Sequence, residues 1–270
     1  MRYVARPPVA PLADFVEYVW ESRGAPAHAK ERVVPTGTLE LLVNLAEDGV
    51  RIYDADGRAH TLSGAVVSGA YRRPFTFDTR ESAFSVGAHF RPGRASELLG
   101  VPAGALSDRH VDLDALWGRR ANELRERLCA AATTEQRFAI LEAELLSRLD
   151  GRRRAHPVVG YAIGALRDPR ARVGDIVEHA GVSPRRLIEL FTASVGITPK
   201  RFGRIARLHR AAALARSASL DWARIAHDCG YADQSHLIRD FRELAGVTPR
   251  DLIRASVHVA EHHQLAVLDA

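Results

Sequence analysis

At 270 residues the chain is long enough for two domains, each with its own core. With 46% hydrophobic and 26% charged residues and a formal net charge of +5, it has the composition of a folded protein rather than a disordered one. Two cysteines, Cys129 and Cys229, exclude a disulfide scaffold and Cys-x-x-Cys zinc or redox chemistry, and both are expected as buried thiols. There is no apolar run of membrane-spanning length and no apolar N-terminal leader, so a cytoplasmic protein with no membrane partner is expected.

In chain order, residues 1–150 begin with short β-favouring runs. These are Thr38 to Leu45, Val50 to Tyr53, Gly64 to Val67, Pro74 to Phe77 and Ala83 to Val86. Asp54 to Gly57 and Gly69 to Pro74 punctuate them as turns. Helical spacing then takes over, briefly from Ala95 to Leu99 and at length from Arg119 to Ala131 and Glu135 to Leu149. Thr133 and Gln136 fit a capping box that opens the last of these. The pattern predicts an α+β domain, a small antiparallel sheet or barrel plus helices. The polar run from Asp150 to Pro157 predicts the interdomain boundary.

The charge is segregated between the two halves. Residues 151–257 carry 19 basic against 10 acidic side chains, whereas residues 1–150 carry 19 against 21. Arginine-rich usage alone, with Lys30 and Lys200 as the only lysines, does not explain why the excess falls in one half. A domain that approaches a polyanion needs such an asymmetry, because neutralising phosphates releases counterions.

The basic half also contains a repeat. Leu187, Ile188, Phe191, Gly196, Thr198 and Pro199 recur at an offset of 50 as Leu237, Ile238, Phe241, Gly246, Thr248 and Pro249, and Gly181 recurs at 49 as Gly230. Before each opening glycine lies a short amphipathic helix, Val173 to Ala180 and Leu220 to Cys229. The glycine ends it in the left-handed conformation. Ser183 with Pro184, and Asp233, then start a second helix. Helix, tight turn, helix is the helix-turn-helix unit, here at about 172–195 and about 220–244, joined by a linker helix 199–216. An all-α second domain over 155–257 and a tail over 258–270 follow.

Residues 155–257 resemble the DNA-binding domain of the AraC/XylS family of bacterial transcription regulators. The run from Asp233 to Arg242, followed by Gly246-Val-Thr-Pro249, carries most of the likeness. The first unit departs from the pattern at Glu189, where many members carry an arginine aligned with Arg239. The front half resembles the sensor-like, regulatory N-terminal domain of a subset of that family, through Val34 to Leu42, Gly87 to Gly93 and Leu113 to Gly118. The resemblance implies a sequence-specific transcription regulator. Double-stranded DNA is its expected partner, with a small-molecule effector or homodimerisation acting through the N-terminal domain and RNA polymerase as a partner if it activates.

In the helix-turn-helix geometry the helix after the turn enters the major groove with its N-terminal side chains over base edges. With Leu187, Leu190 and Phe191 inward, Arg185, Arg186 and Glu189 face outward as base-reading candidates. With Leu237, Ile238 and Phe241 inward, the second set is Gln234, Ser235, His236 and Arg239, against the alternative that several of these outward groups are solvated surface charges or that His236 and Asp233 cap the helix. Lys200, Arg201, Arg204 and Arg207 suit phosphates, though a solvated helix face has the same pattern. For the effector, Tyr53, Tyr71, Phe75, Phe77, His89 and Arg91 are candidates to line a pocket, against the alternative that the aromatics are sheet core and His89 and Arg91 a hydrogen-bonded pair.

Catalytic signatures are missing from the sequence. There is no Gly-x-Ser-x-Gly, no phosphate loop and no Gly-x-Gly-x-x-Gly. The cluster His258-Val-Ala-Glu-His-His263 lacks His-Glu-x-x-His spacing and reads as tail rather than metal site. No enzyme, cofactor or metal is expected. The alternative is a bifunctional protein whose N-terminal domain is enzymatic or metal-binding and tethered to DNA.

Overall fold

The computed structural model describes residues 2–24, 29–149, 156–217, 221–256 and 264–266. Its first half carries strands β1 (Arg2–Arg6), β2 (Val16–Arg23), β3 (Lys30–Val33), β4 (Glu40–Asn44), β5 (Gly49–Tyr53), β6 (Ala59–Ser63), β7 (Ala65–Ser68), β8 (Phe75–Asp78), β9 (Phe84–Phe90) and β10 (His110–Asp112). One antiparallel sheet runs β1-β2-β9-β4-β7-β10, and the other runs β3-β8-β5-β6. The far edge of β3 pairs with β11 (Gln264–Ala266), so part of the region expected as tail is a strand. His258 to His263 lies outside the described residues.

Residues alternate across a strand. In β4 and β7 this sends Leu41, Val43, Ala65 and Val67 toward the helices, and Leu42 and Val66 toward the second sheet. Both faces are buried, which is why Leu41-Leu-Val43 reads as a continuous apolar run. Val50, Ile52 and Phe75 meet Val66 between the sheets, with Val33, Leu42, Leu62 and Tyr71 around them. Side chains therefore fill the space between the sheets.

Strands β1, β2, β3, β6 and β10 lie outside the runs read as β-favouring. In β2 the buried Glu21 interrupts the apolar pattern, and it is tolerated because Arg137 donates to it at 2.6 Å and Thr134 at 2.9 Å. Strands β3 and β6 lack apolar alternation and take their conformation from pairing with β8 and β5.

Helices α1 (Ala95–Leu99), α2 (Leu113–Trp117), α3 (Arg119–Ala130) and α4 (Thr134–Leu146) complete the α+β half. They bury Leu124, Leu128, Phe138, Leu141 and Leu145 in the main core. The Thr133–Gln136 capping box is present. Cys229 is buried as expected, but Cys129 is exposed near the end of α3, opposite to the expectation, because the helix buries Leu124 and Leu128 instead.

The helical half contains α5 (Pro157–Ala165), α6 (Val173–Ala180), α7 (Pro184–Val195), α8 (Pro199–Ser217), α9 (Trp222–Asp228), α10 (Gln234–Ala245) and α11 (Pro249–Ser256). One hydrophobic cluster runs through both halves, from Val34, Ala70 and Leu106 to Val195, Ile197 and Phe202. Polar contacts reinforce the junction. The Ser107 hydroxyl donates to the Gly196 carbonyl, and His209 Nε2 bonds the Pro35 carbonyl at 2.8 Å.

Candidate nucleic-acid interface

Two helix-turn-helix units are present, α6–α7 and α9–α10. Gly181 (φ 62°) ends the first helix of one and Gly230 (φ 71°) turns the chain in the other. Ser183 Oγ accepts from the Arg186 amide at 3.2 Å, and Asp233 Oδ1 from the His236 amide at 2.7 Å. These caps satisfy amides at the start of α7 and α10 that have no partner within the helix. Leu187, Phe191 and Val195 anchor α7 in the core, and Leu237, Phe241 and Leu244 anchor α10. Leu190, Ile238 and Trp222 are half-buried against the same core.

Each reading helix thus presents a polar outer face. On α7, Arg185, Arg186 and Glu189 are exposed and engage one another. Arg185 Nε donates to Glu189 at 2.9 Å, and Arg186 lies 3.8 Å from the same carboxylate. On α10, Gln234, Ser235 and Arg239 are exposed. Among the described residues, Gln234 and Arg239 make no side-chain hydrogen bond or ion pair, which leaves an amide and a guanidinium available to base edges. His236 is half-buried edge-on to Tyr231, its ring 5.2 Å away, and its Nδ1 meets the Ala232 amide at 3.4 Å. That fits the capping alternative better than base reading.

Helix α8 revises the phosphate set. Lys200 is exposed. Arg201 and Arg204 are only 13% and 21% exposed, and both are ion-paired to Glu243 of α10. Arg204 also bonds the buried Asp240 at 2.7 Å. Arg207 lies over the Tyr231 ring at 5.6 Å. The three arginines are thus turned toward α10 and its turn rather than outward, because the acidic side of α10 faces them. The hydrogen bond from Arg204, with Arg201 adding to it, pulls the Glu243 carboxyl down to about 2. Arg201 also donates to the Arg72 carbonyl, and Arg72 is paired to Asp108. A polar chain therefore runs from the second reading helix to the sheet half.

The six effector candidates do not converge. The ring of Tyr71 packs on Phe75 and His110, its hydroxyl bonding His110 Nδ1 at 2.5 Å. Burial holds the His110 imidazole down at about 3, with His60 adding repulsion. On β9 of the first sheet, His89 stacks on Tyr18 at 4.9 Å and bonds Thr38 at 2.9 Å, while Arg91 donates to the Ala13 carbonyl at 2.7 Å. Phe77 is half-buried in β8. Strand alternation and the division between two sheets separate these groups. Tyr53 instead borders a cleft of about 630 Å³ between the second sheet and α10, with Lys30, Arg32, Arg73 and Arg242 and the carboxylates Asp54 and Glu243 also on its walls. Lys30 sits 3.7 Å over the Tyr53 ring, and Arg32 donates to the Gly246 carbonyl at 3.3 Å.

Sequence reasoning did not single out Asp240, Glu243 or the exposed Ile188. The acidic side of α10 is visible in the sequence as Asp240 and Glu243 three residues apart. Ile188 lies off the stripe that Leu187 and Phe191 define. No described helix is long and apolar enough to cross a membrane.

Residues 176–255 match the family model of a helix-turn-helix domain, and residues 5–112 match a domain of unknown function, DUF6597. A putative AraC-like transcription regulator of Streptomyces lividans is 27% identical over 268 residues, covering 84% of this chain and 87% of that protein. The arabinose operon regulatory protein of Salmonella typhimurium is 26% identical over 180 residues, covering 64% of this chain and 59% of that protein. The structure of ToxT from Vibrio cholerae aligns over 94% of this chain and 98% of its own at 10% identity, with a TM-score of 0.49. The chain thus carries a helix-turn-helix domain of the AraC type and is similar to AraC-like transcription regulators.

Proposed function

We propose that this regulator binds DNA sequence-specifically, with α7 and α10 in successive major-groove segments. The observation that carries the reading is the pair of equivalent helices, each anchored by one apolar stripe and exposing polar side chains at its N-terminal half. The nineteen residues of α8, at about 1.5 Å each, span about 28 Å. That suits two reading helices about one DNA turn, about 34 Å, apart. Arg239 and Gln234 are the base-reading groups of the second unit, and Lys200 is a phosphate contact.

The front half, residues 1–150, is the regulatory unit, and residues 155–257 read DNA. Two features support coupling between them: the chain from Glu243 through Arg201 to Arg72, and the charged cleft shared by the second sheet and α10. A small-molecule effector in that cleft touches the sheet and the second reading helix together, and so shifts the equilibrium between states of the DNA-binding half. Homodimerisation through α3 and α4, and contact with RNA polymerase in an activating role, are further parts of the proposal.

The test is fluorescence anisotropy on the chain's own upstream DNA and on shuffled DNA of equal length, at low and near-physiological salt. A preference of about a thousandfold, with affinity falling steeply as salt rises, is expected. Absence of binding to either DNA at low salt overturns the reading.

A further inference from the structure

Resting on that DNA-binding reading, we propose that Ile188 is a specificity-determining residue of the first unit, and that its side chain packs on the C5-methyl group of a thymine in the major groove. Ile188 is 45% exposed, one of three large apolar side chains exposed among the described residues. It occupies the N-terminal half of α7, the part of a reading helix that lies over base edges. Arg185 and Glu189 are its neighbours on the same outer surface.

Neither the core nor the helix accounts for an isoleucine there. Its repeat counterpart, Ile238, is half-buried against the hydrophobic core, whereas Ile188 takes no part in that core. A β-branched residue is a weaker helix former than alanine or a long polar side chain, so an exposed position gains nothing in helix stability from it. The charged groups around it are also self-engaged, since Glu189 pairs with Arg185 and approaches Arg186. The apolar group is therefore the unengaged one on this stretch of α7. The matching feature of a major-groove edge is the thymine methyl, which an aliphatic side chain discriminates from cytosine by contact.

The experiment takes the full chain and a duplex it selects from a random-sequence pool. Each thymine in turn is replaced by deoxyuridine, which removes only the methyl group. Affinities are measured by anisotropy for the wild type and for Ile188→Ala, with circular dichroism confirming the fold. One thymine in the half of the site read by the first unit should matter. Replacing it weakens wild-type binding about fourfold, the burial worth of one methyl group. Ile188→Ala should lose that sensitivity and bind both duplexes alike, the non-additivity by which a double-mutant cycle reads a direct contact. A wild type indifferent to every replacement, or an Ile188→Ala protein that keeps the wild-type sensitivity, overturns the assignment while leaving DNA binding intact. If no sequence is enriched from the pool, the DNA-binding reading itself falls, and the assignment with it.

Discussion

The two opening glycines of the repeat predict unequal responses to the same substitution. Both are left-handed, Gly181 at φ 62° and Gly230 at φ 71°. Alanine in that conformation costs about 1–2 kcal/mol at either site, because its Cβ crowds the following carbonyl oxygen. Their surroundings differ. A Cβ on Gly181 meets nothing within 4 Å, whereas one on Gly230 falls 2.5 Å from the Pro169 carbonyl oxygen, a backbone atom that cannot rotate away. Forced repacking of that kind adds about 1–3 kcal/mol. Gly181→Ala should therefore cost about 1–2 kcal/mol in urea denaturation, and Gly230→Ala about 2–5 kcal/mol. Asparagine separates the two causes, since it tolerates the left-handed region. Gly181→Asn should recover most of the loss, and Gly230→Asn should recover little. If Gly230→Ala proves no more damaging than Gly181→Ala, the packing argument for the second turn is wrong.

Phe191→Ala and Phe241→Ala each remove a fully buried ring and should cost about 3–5 kcal/mol, losing DNA binding together with helical circular dichroism. Arg239→Ala should instead keep the spectrum and weaken specific binding by about 1–3 kcal/mol; an unfolded Arg239→Ala protein would contradict its surface position. Lys200→Ala should lower the salt dependence of binding by about one counterion at unchanged stability. Arg204→Ala strands the buried Asp240 and should cost about 1–3 kcal/mol in denaturation; equal stability of the two variants would refute the structural role given to Arg204. Burial in the folded chain lowers the His110 imidazole from its ordinary 6.5 to about 3. Between those values the unfolded chain binds a proton that the folded one does not, so stability falls as the pH falls. The slope approaches about 1.4 kcal/mol per pH unit below 6.5, so the drop from pH 7 to 5 is about 2 kcal/mol. Urea melts at pH 7 and 5 should show this loss in the wild type and a smaller one in His110→Gln; identical profiles would assign the acid sensitivity elsewhere.

Most of the helical half, α5 excepted, is legible in the amino-acid sequence. The expected helices at Val173 to Ala180 and 199–216 correspond to Val173–Ala180 and Pro199–Ser217. Helix starts and stops are local events, set by a capping oxygen, a proline and a left-handed glycine within a few residues of one another. The Leu187–Phe191 and Leu237–Phe241 stripes were legible for the same reason, since 3.6-residue spacing fixes a face without reference to any partner. In the sheet half only the strongly apolar strands could be read. Strand β3 exists because β8 lies beside it, and β2 accommodates Glu21 because Arg137 arrives from α4, 116 residues later.

Which polar side chains are free depends on packing between distant parts of the chain. Arg201, Arg204 and Lys200 look alike along α8, yet Asp240 and Glu243 capture the two arginines and leave the lysine exposed. The effector candidates scattered for a related reason, because alternation across two sheets sends residues close in sequence to different surroundings. Ile188 and Ile238 occupy matching places in the repeat, and only their packing separates an exposed side chain from a half-buried one. Local spacing can specify a helix and its inward face. Whether an outward group meets solvent, a carboxylate or another element depends on chain that arrives from far along the sequence.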